Sequence, residues 1–387
     1  MKNIILKLDE RVNAHKNLYI FLTLAAGLLM RFAVLYFTDN TDFRNFYQTG
    51  KITASGLNLY GNFKSYNYGP IMFIILGKIY KAALFFENNI LAFKIMQVAI
   101  LTIADLFIAK LVVKKSGLLW GIIFFLNPLS IIIDAHATQF DNIAIALGAY
   151  GICYLSKSCE DDKLYFFDII GIALLSLSLI FKHVLWAFPL WILLNKNITT
   201  RKKFLYAFIP PLLFLLSFVP YWQEGSQGII QNVFMYRSFN NYPLIGLNIL
   251  NYLGLSIPFK NYISFPLFIM LMALCGYIFR REKICKNFML YTIALVCCSS
   301  AIANQYLVIP VMALIILFRE KSFIYFVIKF LLMPFGDIGQ KIFSIFYKHL
   351  DISNNLIIVV THSLFVWCLL AYLVYYYVNR KNFSELY

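Results

Sequence analysis

Residues 38–70, TDNTDFRNFYQTGKITASGLNLYGNFKSYNYGP, followed by residues 71–86, IMFIILGKIYKAALFF, decide how the rest of the chain is arranged. The first segment follows an apolar run, Leu18–Phe37, that is long enough to span a bilayer. It carries acids, aromatics and glycines that cannot themselves cross one. The second segment is apolar but only sixteen residues long and contains Lys78 and Lys81. If it crossed, Lys114 and Lys115 would emerge outside. If it lies on the outer leaflet as an amphipathic helix, Ile90–Val113 crosses inward and the lysine pair is cytoplasmic. The second arrangement satisfies every later loop, and it extends the first outer loop over residues 38–89.

Composition places the chain in a membrane class. Hydrophobic residues make up 61%, charged residues 13%, and the mean hydropathy is +0.73, too little polar surface to coat a water-soluble globule of 387 residues. The formal charge of +16 sits in small basic clusters between apolar runs. There it reports orientation and contact with membrane lipid, and it excludes nucleic acid as the partner. The seven cysteines fall within expected helices or cytoplasmic turns, so they offer no disulfide framework to the outer loops. No small-residue cleavage pattern follows Leu18–Phe37, which is read as a retained helix.

The basic N-terminus (Lys2, Lys7, Arg11, Lys16) is expected inside, which delivers residues 38–89 to the far side. Leu118–Ile133 then exits, Asp134–Asp141 is a short external turn, and Asn142–Leu155 returns. Phe166–Phe181 and Val184–Leu194 form a hairpin with Lys182-His183 at its outer tip. Phe204–Trp222 exits to a second external loop, 223–262, and Ile263–Phe279 returns. A second hairpin, Phe288–Ser300 and Tyr306–Phe318, has Asn304-Gln305 at its tip. Phe323–Pro334 leads to a third external loop, 335–355, and Leu356–Val378 ends at Arg380-Lys381. The expectation is an all-α polytopic membrane protein, 1–387 as one membrane domain with about twelve transmembrane helices.

Asp39 and Asp42 sit three apart at the outer mouth of the first span, a spacing that puts both carboxylates on one face of a helical turn. They are two of only eighteen acids in the chain. They are either solvated loop acids or, at a partly desolvated interface, a base for a hydroxyl proton. Gly50, Gly56 and Gly61 are expected to break the loop into short helices. Tyr47, Tyr60, Tyr66 and Tyr68 read as pocket rings or as an interfacial aromatic belt, and Pro70 opens the interfacial helix. The turn at His136, Gln139 and Asp141 is a weak metal set or a polar cap, with Asp141 suited to N-cap the next helix. Lys182, His183 and Arg237 are cations among apolar residues, placed to meet a phosphate or to reach lipid headgroups. Asp105 is a carboxylate inside the third apolar run.

The order of these motifs resembles the GT-C superfamily of glycosyltransferases that use polyprenyl-phosphate sugars, over about Arg31 to Pro310. DFRNFY at Asp42, NLY at Asn58–Tyr60 and YNYGP at Tyr66–Pro70 are similar to that superfamily's acidic first loop and its Tyr-Pro-Pro-like element, with Gly69 in place of the first proline. FLNPLSIIIDAHATQFDN resembles segments of the glycosylphosphatidylinositol mannosyltransferases and the dolichyl-phosphate-glucose glucosyltransferases. SLIFKHVLWAFPL resembles the glucosyltransferases' Phe-Lys-Gln element, and NQYLVIP a Ser-Gln-Tyr segment of the mannosyltransferases. Bacterial membrane glycosyltransferases share a comparable first loop. The acids are separated by two residues rather than the mannosyltransferases' one, and the glucosyltransferase pattern favours Asp42 over Asp39.

The resemblance implies transfer of a hexose, mannose or glucose, from a polyprenyl-phosphate-linked sugar donor to a glycan, glycolipid or protein acceptor on the extracytoplasmic side. The expected setting is a bacterial inner membrane, or the endoplasmic reticulum membrane in a eukaryote. Asp42 or Asp39 would be the base; Lys182, His183 and Arg237 would hold the donor phosphate. Tyr60, Tyr68, His136, Gln139, Asp141, Gln305 and Tyr306 would line the pocket. The resemblance implies no required cofactor and leaves a divalent cation as an option. The alternative for a chain of this layout is a transporter or flippase of lipid-linked sugars, which would place polar groups near the bilayer midplane.

Overall fold

The computed structural model describes residues 2–236, 247, 253–255, 260–299, 304–325, 354–381 and 383. Among them the regular structure is helical throughout, without a strand. They fall into two compact units, residues 1–237 with 281–285, and residues 238–280 with 286–387.

In the first unit, α1 (Lys2–Ala14) packs Val12 against Leu118 and Leu119. Helix α2 (Lys16–Phe37) is the first apolar run, and most of its surface is exposed aliphatic and aromatic side chain, as a lipid-facing helix requires. Asn40 accepts a hydrogen bond from the Asp42 amide and so starts α3 (Thr41–Ala54). A single turn, α4 (Leu59–Asn62), is capped in the same way by Asn58. Pro70 opens α5 (Pro70–Ala83), which lies against α3, and Asn88 caps α6 (Asn89–Ser116). Helices thus form at the positions expected for the interfacial segment and for the span after it.

Beyond α6 the helices are broken. Leu118–Phe125 (α7) and Pro128–Ala135 (α8) meet at a 41° bend, because Asn127 caps a new helix whose first residue, Pro128, cannot donate. Helix α9 (Asp141–Leu155) follows, then α10 (Phe166–Phe181), which turns by 108° at an extended Lys182 into the run that ends as α11 (Phe188–Leu194). Helix α12 (Thr200–Leu216) carries Pro210 and Pro211 and leads through a short turn into α13 (Trp222–Gly228). Far from Lys182, the Asp168 carboxylate at the start of α10 accepts from Lys202 at 3.1 Å, Ser158 at 2.6 Å, the Tyr165 amide at 2.8 Å, and the Tyr206 hydroxyl. Four donors saturate this buried carboxylate and tie α10 to α12.

The second unit holds α14 (Lys260–Ile278), most of α15 (Ile284–Cys298), α16 (Val311–Phe318) and α17 (Asn354–Val378). Its core stacks Phe318 on Tyr372 with ring centroids 4.7 Å apart, and the Tyr325 hydroxyl donates to the Leu307 carbonyl at 2.8 Å.

Several expectations need correction. Gly50 lies inside α3, where its missing side chain admits the Leu76 carbonyl, and Gly61 lies inside α4; only Gly56, with φ +81°, ends a helix. Phe140, not Asp141, is the N-cap of α9, and Asp141 is its first helical residue. Asp39 precedes α3, so the two acids do not share a helical face. Residues 223–234, expected as loop, are helical. Gly228 approaches Tyr60 so closely that a Cβ there would lie 1.8 Å from the Tyr60 carbonyl oxygen, and this contact holds the glycine-rich run in helix. Against the twelve expected crossings, three helices among the described residues are each long and apolar enough to span, or five if each bent pair is one span; Asp141–Leu155, Tyr262–Ile278, Ile284–Cys298 and Ser363–Val378 are shorter apolar helices. This is consistent with a membrane protein. Most of 223–262 beyond Tyr236 and nearly all of 323–355 lie outside the described residues.

Candidate functional site

Asp42 occupies the first turn of α3, whose inward face is fixed by buried Phe43 and Phe46. Its carboxylate is half-buried, and its Oδ2 accepts from the Gln139 side-chain amide at 2.8 Å. Gln139 is fully enclosed in the turn between α8 and α9. The Gln139 amide N–H donates to the Ile133 carbonyl at 3.1 Å, and the preceding Thr138 adopts φ +51°. A β-branched residue in the left-handed region is strained, so the surroundings must impose it. Gln97 of α6 does so in part by donating to the Thr138 carbonyl at 3.1 Å.

At its other end, the Gln139 carbonyl oxygen accepts from Lys182 Nζ at 3.1 Å. Lys182 in turn pairs with Asp141 Oδ2 at 2.6 Å, and both side chains are buried. Lys182 Nζ also stands 5.1 Å from the ring centroids of Tyr68 and Phe140. A lysine taken from water needs this much compensation, because desolvation of the ammonium otherwise exceeds the attraction of a single carboxylate. The result is a chain, Asp42–Gln139–Lys182–Asp141, that joins α3, the α8–α9 turn and the break after α10. The sequence singled out all four residues, from three segments: Asp42, the turn with Gln139 and Asp141, and Lys182. What it did not show is that Lys182 is buried and already neutralised by Asp141.

Residues 60–69 supply the wall. The Tyr68 ring packs edge-on to Phe140 at 4.7 Å and lies 6.4 Å from the His183 ring. Gly69 permits this wall, since a Cβ there would fall 2.0 Å from the Ile180 carbonyl oxygen at the end of α10. Tyr60 sits behind the wall: it is buried against Tyr66, Phe73, Phe218 and Tyr221, and its hydroxyl donates to the Tyr68 carbonyl at 2.8 Å. Burial pushes the Tyr60 and Tyr66 phenols above their ordinary value, with neighbouring tyrosines adding to the effect. These rings form a packed core rather than an exposed aromatic belt.

Asp39 is differently placed. Its Oδ2 accepts from Arg44 Nε at 3.0 Å and from the Arg44 terminal nitrogen, and its Oδ1 accepts from the Asn40 amide at 2.9 Å. Partial burial raises the Asp39 carboxyl, but the hydrogen bond and charge of Arg44 outweigh this and hold it below the usual carboxylate range. Asp42 keeps an oxygen outside its bond to Gln139, so the geometry separates the two acids that the sequence left equivalent.

A second polar cluster lies on the other side of the α9 start. Arg31 of α2 pairs with Asp105 of α6 and, at 3.3 Å, with Asp134 of α8; its remaining nitrogen donates to the Gly27 and Phe125 carbonyls, both at 3.3 Å. The Phe125 carbonyl is freed by the α7–α8 break, so Arg31 supplies the donor that the interrupted helix lacks. Ser130 and Asn142 donate to Asp105 at 2.6 Å and 2.5 Å. Asp105 was marked in the sequence. Arg31, Asp134, Ser130 and Asn142 were not, although an arginine inside the first apolar run is the signal that finds them.

Of the other expected residues, His136 is buried at the end of α8. Tyr306 is half-buried in the second unit. Arg237 and the side chain of Gln305 lie outside the described residues. No grouping of three His, Cys, Asp or Glu side chains suited to a metal ion occurs among the described residues. No family model, curated protein or solved structure matches the chain.

Proposed function

We propose that the chain is an integral-membrane glycosyltransferase of the GT-C type, a bundle of about twelve transmembrane helices with its catalytic loop, 38–89, outside the cytoplasm. It moves a hexose, mannose or glucose, from a polyprenyl-phosphate carrier to an acceptor hydroxyl. The reading is supported above all by the hydrogen-bonded chain from Asp42 through Gln139 to Lys182 and Asp141.

Asp42 is the general base. Gln139 holds Oδ2 and leaves Oδ1 to take the proton of the acceptor hydroxyl. The acceptor oxygen attacks the anomeric carbon from the face opposite the phosphate, and the sugar–phosphate bond breaks with its electron pair passing to the phosphate oxygen. Inversion follows from that geometry. The phosphate is assigned to the Lys182–His183 end of the site and to Arg237. Because Asp141 neutralises Lys182, that lysine contributes as an oriented donor, and net positive charge falls to Arg237. Tyr68 forms the wall beside the sugar, and Tyr60 supports it.

Asp42→Asn removes the base while preserving the acceptor to Gln139. It should lower transfer from polyprenyl-phosphate-mannose or polyprenyl-phosphate-glucose by at least about 100-fold while the purified protein unfolds at the parent temperature. Full retained activity with both donors would end Asp42's assignment as base. A transporter or flippase of lipid-linked sugars is the second reading, favoured by the buried Arg31–Asp105–Asp134 cluster within apolar helices. It predicts donor movement across proteoliposomes that Asp42→Asn leaves unchanged.

A further inference from the structure

The Arg31 cluster sets one guanidinium against two carboxylates, and all three side chains are buried. Arg31 and Asp105 balance each other, and Asp134 leaves one negative charge in excess. An uncompensated charge in an apolar interior is far more costly than a neutral acid. The hydrogen-bond inventory shows where the compensation belongs. Asp105 receives Arg31 and Ser130 on Oδ2 and Asn142 on Oδ1, three donors that stabilise an ionised carboxylate. Asp134 receives only Arg31 Nε, on Oδ2, and its buried Oδ1 has no partner.

We infer that the cluster is a proton-binding site in which Asp105 is the counter-ion of Arg31 and Asp134 holds one proton at neutral pH. A metal cation is a poorer occupant, because it needs several oxygen ligands at once. Asp105 already receives three donors, and Asp134 presents a single unpartnered oxygen. The inference is independent of the transferase reading, since it concerns groups that take no part in sugar transfer. Its reach extends to the site nevertheless: Asn142, which donates to Asp105, adjoins Asp141, which pairs with Lys182, on the first turn of α9.

The test compares two isosteric changes in the full-length protein in detergent. Asp134→Asn mimics the neutral acid and should unfold within about 2 °C of the parent; Asp105→Asn faces three donors with half an amide and should unfold at least about 5 °C lower. In the infrared spectrum, a carbonyl stretch of a protonated carboxylic acid should be present in the parent and absent from Asp134→Asn. Equal destabilisation by the two changes, failure of Asp134→Asn to fold, or a parent spectrum identical to that of Asp134→Asn would overturn the inference. Stabilisation of the parent by sodium chloride, but not by choline chloride of equal ionic strength, would overturn it in favour of a bound metal cation.

Discussion

Gln139 joins a carboxylate to an ammonium through the two ends of one amide: its NH2 can only donate to Asp42, and its oxygen can only accept from Lys182. The flip is therefore dictated by its neighbours. Neither Glu nor Lys could replace it without meeting a like charge. Gln139→Ala leaves the Lys182–Asp141 pair intact and releases Oδ2 of Asp42. On the proposed function it should reduce transfer from a polyprenyl-phosphate sugar on the order of 10- to 100-fold, and it should lower the unfolding temperature because Lys182 loses an acceptor and a cavity is left. An unchanged rate would show that Asp42 needs no holder. Residue types at this scale were readable from the chain, because acids, a glutamine and a lysine between apolar runs are costly unless they act or pair. Their pairing was not. Asp42 and Gln139, or Lys182 and Asp141, are brought together only by tertiary packing, and a lysine in sequence looks the same whether it faces a ligand or a buried aspartate.

Among the elements, boundaries marked by local chemistry were legible: Pro70 at α5 and the apolar run broken at Lys182 both appear near their expected positions. The helix over 222–234 was not, because its glycines depress helix propensity and only contact with α4 explains them. The same reasoning separates two glycines of the outer loop. At Gly69, φ is ordinary, −73°, and the constraint is the Ile180 carbonyl; at Gly56 no atom is near, and the constraint is a φ of +81°. Gly69→Ala should cost about 2–3 kcal/mol through enforced movement of α5 from the end of α10. Gly56→Ala should cost about 1 kcal/mol through backbone strain alone. Thermal unfolding of both variants checks the order, and a more stable Gly69→Ala than Gly56→Ala would contradict the close approach.

For the whole molecule, charge placement assigns the first loop to one side and the turn after α9 to the other. Ser65 and Ser156 are both exposed, and both belong to the first unit. In a variant whose seven native cysteines are replaced, Ser65→Cys should react with a membrane-impermeant thiol reagent in intact cells or spheroplasts. Ser156→Cys should react only after permeabilisation. Labelling of both from one side would remove the topology on which the catalytic loop depends. On the proposed topology α10 runs between these two faces; it is sixteen residues long and fastened by ion pairs at either end, Asp168 with Lys202 and Lys182 with Asp141. At 1.5 Å per residue it rises only about 24 Å, against a hydrocarbon layer of roughly 30 Å. If α10 crosses on its own, a helix so fastened meets this hydrophobic mismatch by thinning the bilayer around it. On the transferase reading proposed above, a bilayer thinned around α10 would bring lipid headgroups toward Asp42, where the carrier lipid would present its sugar without leaving the leaflet.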